Sequence, residues 1–233
     1  MMLLIDIGNT MTKICLSNGK NLLMIKKYNT YEISKSFMED FSHENIDKAL
    51  ICSVKKSKTF TLRNELEKMN IECLEVKKEI NISLDSEYDM EAIGPDRLVN
   101  IYAAKIIYGS PIVIASIGTA FTVDFVNSSG LHKGGMISAG PNIIMDSLSN
   151  STDTLFKVKL RKTEKLFEKN TDSAINSGIL NSYSLFLEGL RQRVPENTKF
   201  ILTGGFSPMI AMDDATIFPE LLFQGLLSAY ERR

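Results

Sequence analysis

Asp6-Ile7-Gly8-Asn9-Thr10-Met11-Thr12-Lys13 places a carboxylate, a glycine, small hydrogen-bonding side chains and a cation in one short stretch. A carboxylate can hold hydrated Mg²⁺, and backbone N–H groups beside a glycine can approach phosphate closely. Threonine hydroxyls and an ammonium group add polar contacts, so the set suits a magnesium nucleotide such as ATP. The pattern is neither a P-loop nor a G-x-G-x-x-G fingerprint. It would serve equally as a plain Asn/Gly hairpin turn. A second group is Gly94-Pro95-Asp96-Arg97. Asp96 falls in the first turn of a predicted helix, where the positive end of the helix dipole favours an ionised carboxylate. Such a carboxylate can take the proton of a hydroxyl as its oxygen attacks phosphorus, which makes Asp96 the candidate base. A first-turn aspartate also occurs without any chemistry, and Arg97 would then be a surface cation. Gly118-Thr119 offers a second phosphate turn. Gly204-Gly205 after a strand would let a flat base lie against backbone, though a glycine pair can also be only a turn.

The elements that must position these residues follow from periodicity. Strands are predicted over Met2–Ile7, Thr12–Ser17 and Leu22–Lys27, the last two joined by Asn18-Gly19. Helix, strand, helix and strand then alternate over Ile33–Phe41, Lys48–Cys52, Lys58–Met69 and Ile71–Val76, which favours parallel strands. Residues 77–93 are polar and irregular. Pro95–Tyr108 is predicted as a helix with proline in its first turn. Ile112–Ala115, Phe121–Val126 and a strand after Gly130 form a second meander. Laid over the first without gaps, it puts Gly118 on Gly8, Thr122 on Thr12 and Ser116 on Asp6. The spacing therefore predicts a duplicated α/β architecture. Further helices are predicted over Pro141–Leu148, Asp172–Val194 and Pro219–Tyr230, with a strand at Phe200–Thr203. The Asp172–Val194 helix carries Ile175, Ile179, Tyr183, Phe186, Leu187 and Leu190 on one face, as core or subunit interface. The boundary between halves is expected in the loop before Gly94, giving residues 1–93 and 94–233.

The chain of 233 residues is 44% hydrophobic, enough for two modest cores. A formal net charge of -1 argues against nucleic-acid or membrane-surface partners. Cys15, Cys52 and Cys73 form no C-x-x-C pair, and His43 and His132 are the only histidines, so a zinc site is not expected. The apolar N-terminus meets Asp6 at once and has no basic flank, so it reads as a strand and not a signal peptide. No apolar run has the length of a membrane span. A cytoplasmic location is expected.

Read together, the motifs DIGNTMTK, GPDRLVN, IGTAFTVD…GGMISAG, TDSAINSG and LTGG resemble the type III pantothenate kinases, in order and spacing, from Leu3 to about Gly205. That family lies within the superfamily of acetate and sugar kinases and actin. The resemblance implies two ribonuclease-H-like, actin-like halves around a nucleotide cleft, a homodimer, and phosphorylation of pantothenate at the first step of coenzyme A synthesis. By position, Asp6 to Lys13 and Thr119 would bind ATP phosphates. Gly94, Pro95, Asp96 and Arg97 would hold pantothenate, Asp96 would accept the proton, and Tyr88 and Thr171 would contact the substrate.

Two positions depart from the family pattern. Ser116 stands where the family has an aspartate that helps bind a monovalent cation, K⁺ or NH₄⁺. The family's I-x-P-G is replaced by Ile137-Ser138-Ala139-Gly140. A paralogue acting on another small alcohol, or a nucleotide-binding regulator with little turnover, are the competing readings.

Overall fold

The computed structural model describes residues 1–33, 35–163 and 165–232. In chain order the elements are strands β1 (Met2–Ile7), β2 (Met11–Ser17) and β3 (Leu22–Asn29), a 3₁₀ helix Lys35–Phe41, β4 (Lys48–Ser53), α1 (Lys56–Lys68), β5 (Glu72–Glu75) and α2 (Pro95–Tyr108). They continue with β6 (Ile112–Ile117), β7 (Ala120–Val126), β8 (His132–Ala139), α3 (Pro141–Asn150), α4 (Thr171–Arg191) and β9 (Lys199–Thr203). A 3₁₀ turn Ser207–Met209, β10 (Ala215–Ile217) and α5 (Leu221–Glu231) complete the chain.

The chain divides into two compact units. The first holds Met1–Asp85, Asp89–Ile106 and the residues from Leu221 onward, and the second holds Ser86–Tyr88 and Ile107–Glu220. This differs from the expected split at 93/94. The reason is packing: helix α2 lies against α5, so closely that a Cβ on Gly225 would sit 2.6 Å from Val99 Cγ1. Both helices therefore belong with the first sheet, and the first unit draws on both ends of the chain.

Each unit is built on one five-stranded sheet, ordered β3-β2-β1-β4-β5 in the first and β10-β9-β6-β7-β8 in the second. Read from the meander edge, the second order is β8-β7-β6-β9-β10, the same topology. In both, an antiparallel meander is extended by two parallel strands. The duplication expected from the hairpins is thus the plan of the fold. Its central strands read as apolar runs because they are covered on both faces. Leu3, Ile5 and Ile7 join Ile14, Leu16, Ala49 and Ile51 in one core, while Val113, Ala115 and Ile117 join Phe121, Val123, Ile179 and Leu187 in the other.

The two hairpins differ by one residue. Ile7 pairs with Thr12, leaving Gly8 to Met11 as the connection, whereas Ile117 pairs with Phe121 across Gly118 to Ala120. The gapless overlay is therefore out of step beyond the turn. Thr12 corresponds to Phe121, not Thr122, and Lys13 corresponds to Thr122. Side-chain alternation requires this, because a one-residue slip would exchange the buried and outer faces of β2.

Other differences are local. The predicted helix over Ile33–Phe41 is a 3₁₀ helix from Lys35; its Ser34 lies outside the described residues. Seven residues anchored by buried Phe37 and Phe41 are too few to repay α-helix nucleation. Strand β10 was not expected, since three residues, two of them exposed, carry no periodic signal.

Candidate active site

Strand β1 ends on Asp6 and Ile7, and the hairpin register puts Asp6 opposite Lys13, with Lys13 Nζ 3.9 Å from Asp6 Oδ2. Across the parallel pairing Asp6 faces Cys52 of β4. The Asp6 side chain is only 17% exposed. Burial is the largest influence on it; Lys13 opposes the rise and the negative charge of Asp96 adds to it, leaving the pKa at about 6. The buried Cys52 thiol is pushed well above its ordinary range, first by burial and then by the charges of Asp6 and Asp96. The two carboxylates, one on a strand end and one at a helix start, are thus electrostatic neighbours within the first unit.

Asp96 is held by local backbone. Helix α2 begins at Pro95, and Arg97 N–H donates to Asp96 Oδ1 at 2.9 Å. A Cβ at Gly94 would lie 2.6 Å from that same oxygen, so glycine leaves the carboxylate its place. The Arg97 side chain is 6% exposed and is not the surface cation that one reading of the sequence allowed.

The remaining predicted residues fall into groups. In the first unit, Asn9 and Thr10 are exposed at the tip of the β1–β2 turn, and Gly8 N–H closes that turn on Met11 O at 3.1 Å. The side chains of Ile7 and Thr12, at 1% and 0% exposure, are buried, which leaves their backbone groups as what they can offer a ligand. Met11 is exposed and opens β2.

In the second unit, Gly118 N–H bonds Ala120 O at 2.9 Å and Thr119 is exposed. Gly204, at φ +89°, comes so close to the end of β6 that a Cβ would meet Ile117 O at 2.5 Å. Gly118, Thr119, Gly204 and Gly205 therefore cluster at the end of β6 and β9. Ser116 pairs with Thr122 and Thr203. The acid–lysine pair of the first hairpin is thus replaced by hydroxyls. Thr171 stands apart, at the start of α4 in an open groove of about 750 Å³ that Ile144, Leu148 and Leu155 also line.

One arrangement was not anticipated from sequence. His132 is fully buried, with Nε2 3.0 Å from Asp124 Oδ1 and Nδ1 2.7 Å from Ser86 Oγ. Ser86 Oγ also accepts from Tyr88 N–H at 3.0 Å, and Glu87 N–H donates to His132 O at 2.9 Å. This ties Ser86–Tyr88 to the second unit and sets the Tyr88 ring 6.1 Å from the imidazole. The only signal available beforehand was a histidine opening a strand, HKGGMISA, that has no apolar run of its own.

A repeated meander with two added parallel strands, carrying glycine turns at matching strand ends, is an actin-like α/β fold. A solved structure described as a Baf family transcriptional activator from Campylobacter jejuni has this fold, with a TM-score of 0.66 at 21% identity over 99% of this chain and 98% of that one. A 2-dehydro-3-deoxygalactonokinase protein from Sinorhizobium meliloti aligns with a TM-score of 0.58 at 9% identity, covering 100% and 99%. The family model for type III pantothenate kinase matches residues 2–193. The type III pantothenate kinase of Pelagibacter ubique is 32% identical over 241 residues, 96% of each chain. The chain belongs to the type III pantothenate kinase family. It is an ATP-dependent kinase acting on pantothenate in coenzyme A biosynthesis.

Proposed function

We propose that Asp96 is the base of this reaction and that the Gly8–Thr10 turn holds the phosphates of ATP. The observation that carries this is the pairing of Asp6 and Asp96 as electrostatic neighbours beside that turn. The primary hydroxyl oxygen of pantothenate attacks the γ-phosphorus, its proton passes to the Asp96 carboxylate, and the bond to ADP breaks. Arg97, Gly94 and Pro95 hold the acceptor, with Tyr88 and Thr171 as further contacts. Gly118, Thr119, Gly204 and Gly205 take other parts of the nucleotide.

No cluster of three or more metal-ligating side chains occurs among the described residues. This suits Mg²⁺, which is commonly held by one or two carboxylates plus phosphate oxygens and water. Asp6 would hold it, and the bound ion supplies charge neutralisation at the phosphates. Incubating the protein with ATP, Mg²⁺ and a panel of small hydroxy acids tests the whole reading. Phosphorylation of pantothenate above all others is expected. A better acceptor in the panel would displace pantothenate, and no turnover at all would favour a regulator.

The monovalent-cation site fits less well. A cation needs negative or strongly polar oxygens, and Ser116 with Thr122 and Thr203 offers only neutral hydroxyls. We expect little K⁺ or NH₄⁺ activation in the wild type. In Ser116→Asp, half-activation should come at a K⁺ concentration about tenfold lower, from the added charge. Activity titrated against K⁺ at fixed ionic strength decides it; saturation of the wild type at low K⁺ would contradict this reading.

A homodimer is also proposed. Much of the predicted α4 face is used within the unit, because Ile175, Ile179, Tyr183 and Leu187 are buried in its own core. Leu185 and Phe186 stay 53% and 42% exposed and are the residues offered to a second copy. Light scattering should give twice the chain mass, and Leu185→Glu should shift it toward the monomer; a monomeric wild type at micromolar concentration would end the proposal. We place the protein in the cytoplasm, a reading supported by three buried cysteines held as thiols. Among the described residues no helix is long and apolar enough to cross a membrane.

A further inference from the structure

Thr30 takes no part in the chemistry above, yet it is the residue most closely fastened to the phosphate turn. It is the first residue after β3 and its side chain is fully buried. Its N–H donates to Thr10 O at 2.9 Å, and its hydroxyl donates to Gly8 O at 3.1 Å. Thr30 Oγ1 also lies 3.0 Å from Thr12 Oγ1. A hydroxyl has one proton, so with Thr30 donating to Gly8 the Thr12 hydroxyl must donate to Thr30. The result is a directed chain, Thr12 to Thr30 to the Gly8 carbonyl, with all three residues in the first unit.

The second unit has the same device in a reduced form. Gly140, the first residue after β8, donates its N–H to Thr119 O at 3.0 Å, just as Thr30 does to Thr10. No side chain fits there: a Cβ on Gly140 would lie 2.1 Å from Gly118 O and 2.4 Å from Thr119 O. The first turn is one residue longer, and in it a side chain both fits and has a carbonyl to hold. The threonine therefore answers a need created by the extra residue.

We propose that Thr30 is a positioning residue for the nucleotide phosphates, acting through the Gly8–Thr10 turn; this rests on the reading that the turn binds ATP. Drawing the Gly8 and Thr10 carbonyl oxygens inward keeps their partial negative charge off the anionic ligand. A Gly8 carbonyl released from Thr30 can swing toward the phosphates and repel them.

Three variants test this: Thr30→Val, which keeps the shape and loses the hydroxyl, Thr30→Ser, which restores it, and Thr12→Val. The last breaks the same buried hydroxyl pair but leaves Thr30 bonded to Gly8. Thr30→Val should raise the KM for ATP about tenfold, on the scale of one lost hydrogen bond, with kcat and the KM for pantothenate little changed. Thr30→Ser should return to near wild type. Thr12→Val should lose comparable thermal stability with little change in ATP affinity. In ligand-free protein, Thr30→Val should also speed hydrogen exchange at the Gly8 amide. An unchanged KM in Thr30→Val, or an equal rise in Thr12→Val, overturns the proposal. If calorimetry shows that the wild type binds no ATP, the phosphate-turn reading itself fails, whereas normal wild-type binding with an indifferent Thr30→Val removes only the role of Thr30.

Discussion

Asp96→Asn is expected to leave a folded protein that binds ATP and turns over about 10³-fold more slowly, within the usual range for loss of a general base. Asparagine keeps the Oδ1 that accepts from Arg97 N–H, so the start of α2 retains its hydrogen bond. What it loses is the ability to take a proton. The loss should therefore fall on kcat and leave the KM for ATP nearly unchanged. The substitution also removes a negative charge that helps raise the Asp6 pKa, so Asp6 should ionise at lower pH in the variant. Turnover within a few-fold of wild type would reduce Asp96 to a helix-start residue.

Asp6→Asn should do two things at once: abolish most Mg²⁺-dependent turnover and stabilise the fold at neutral pH. The folded-state pKa of Asp6, about 6, lies above the ordinary aspartate value of 3.8. The neutral acid is therefore the form the fold prefers. Its stabilising contribution is fully present below about pH 4 and is lost as pH rises through about 6. Beyond that, keeping the ionised group costs on the order of 3 kcal/mol. Asparagine never ionises, but it leaves Lys13 without its partner, so a net gain of about 1–2 kcal/mol is expected. Thermal melts should show the variant more stable than wild type at pH 8, with the gap narrowing toward pH 5. A variant less stable at pH 8 would mean that Lys13 and not burial dominates the environment of Asp6.

Much of this was legible in advance where local chemistry and long-range packing agree. Helix α2 begins and ends as predicted, because Pro95, first-turn Asp96 and the spacing of Leu98, Ile101 and Ala104 all specify it locally. Both meanders were visible for the same reason. The overlay of the two hairpins carried no gap, so it set Thr12 on Thr122 where the strand pairing sets it on Phe121. A turn can gain a residue without disturbing strand alternation on either side, so only the pairing of Ile7 with Thr12 exposes it. Arg97, at a helix start, could not be seen as buried from its own type. The boundary at residue 93 failed because a linear reading looks for one cut, whereas α5 returns to the first sheet after the whole second unit has been traversed. Thr30 and His132 were silent, since each owes its place to partners 18 or more and 8 or more residues away respectively.

The return of α5 has a consequence for how the molecule is made. On the ribosome the first sheet emerges early, but Leu222, Phe223, Leu226 and Leu227, buried on the helix that packs against β1 and β4, follow the whole second unit. Until then the outer face of β1 and β4 has no lid of its own, while the second unit, contiguous but for Ser86–Tyr88, can already close. The nascent chain should therefore expose an apolar surface on its N-terminal part throughout elongation, a natural point of chaperone engagement.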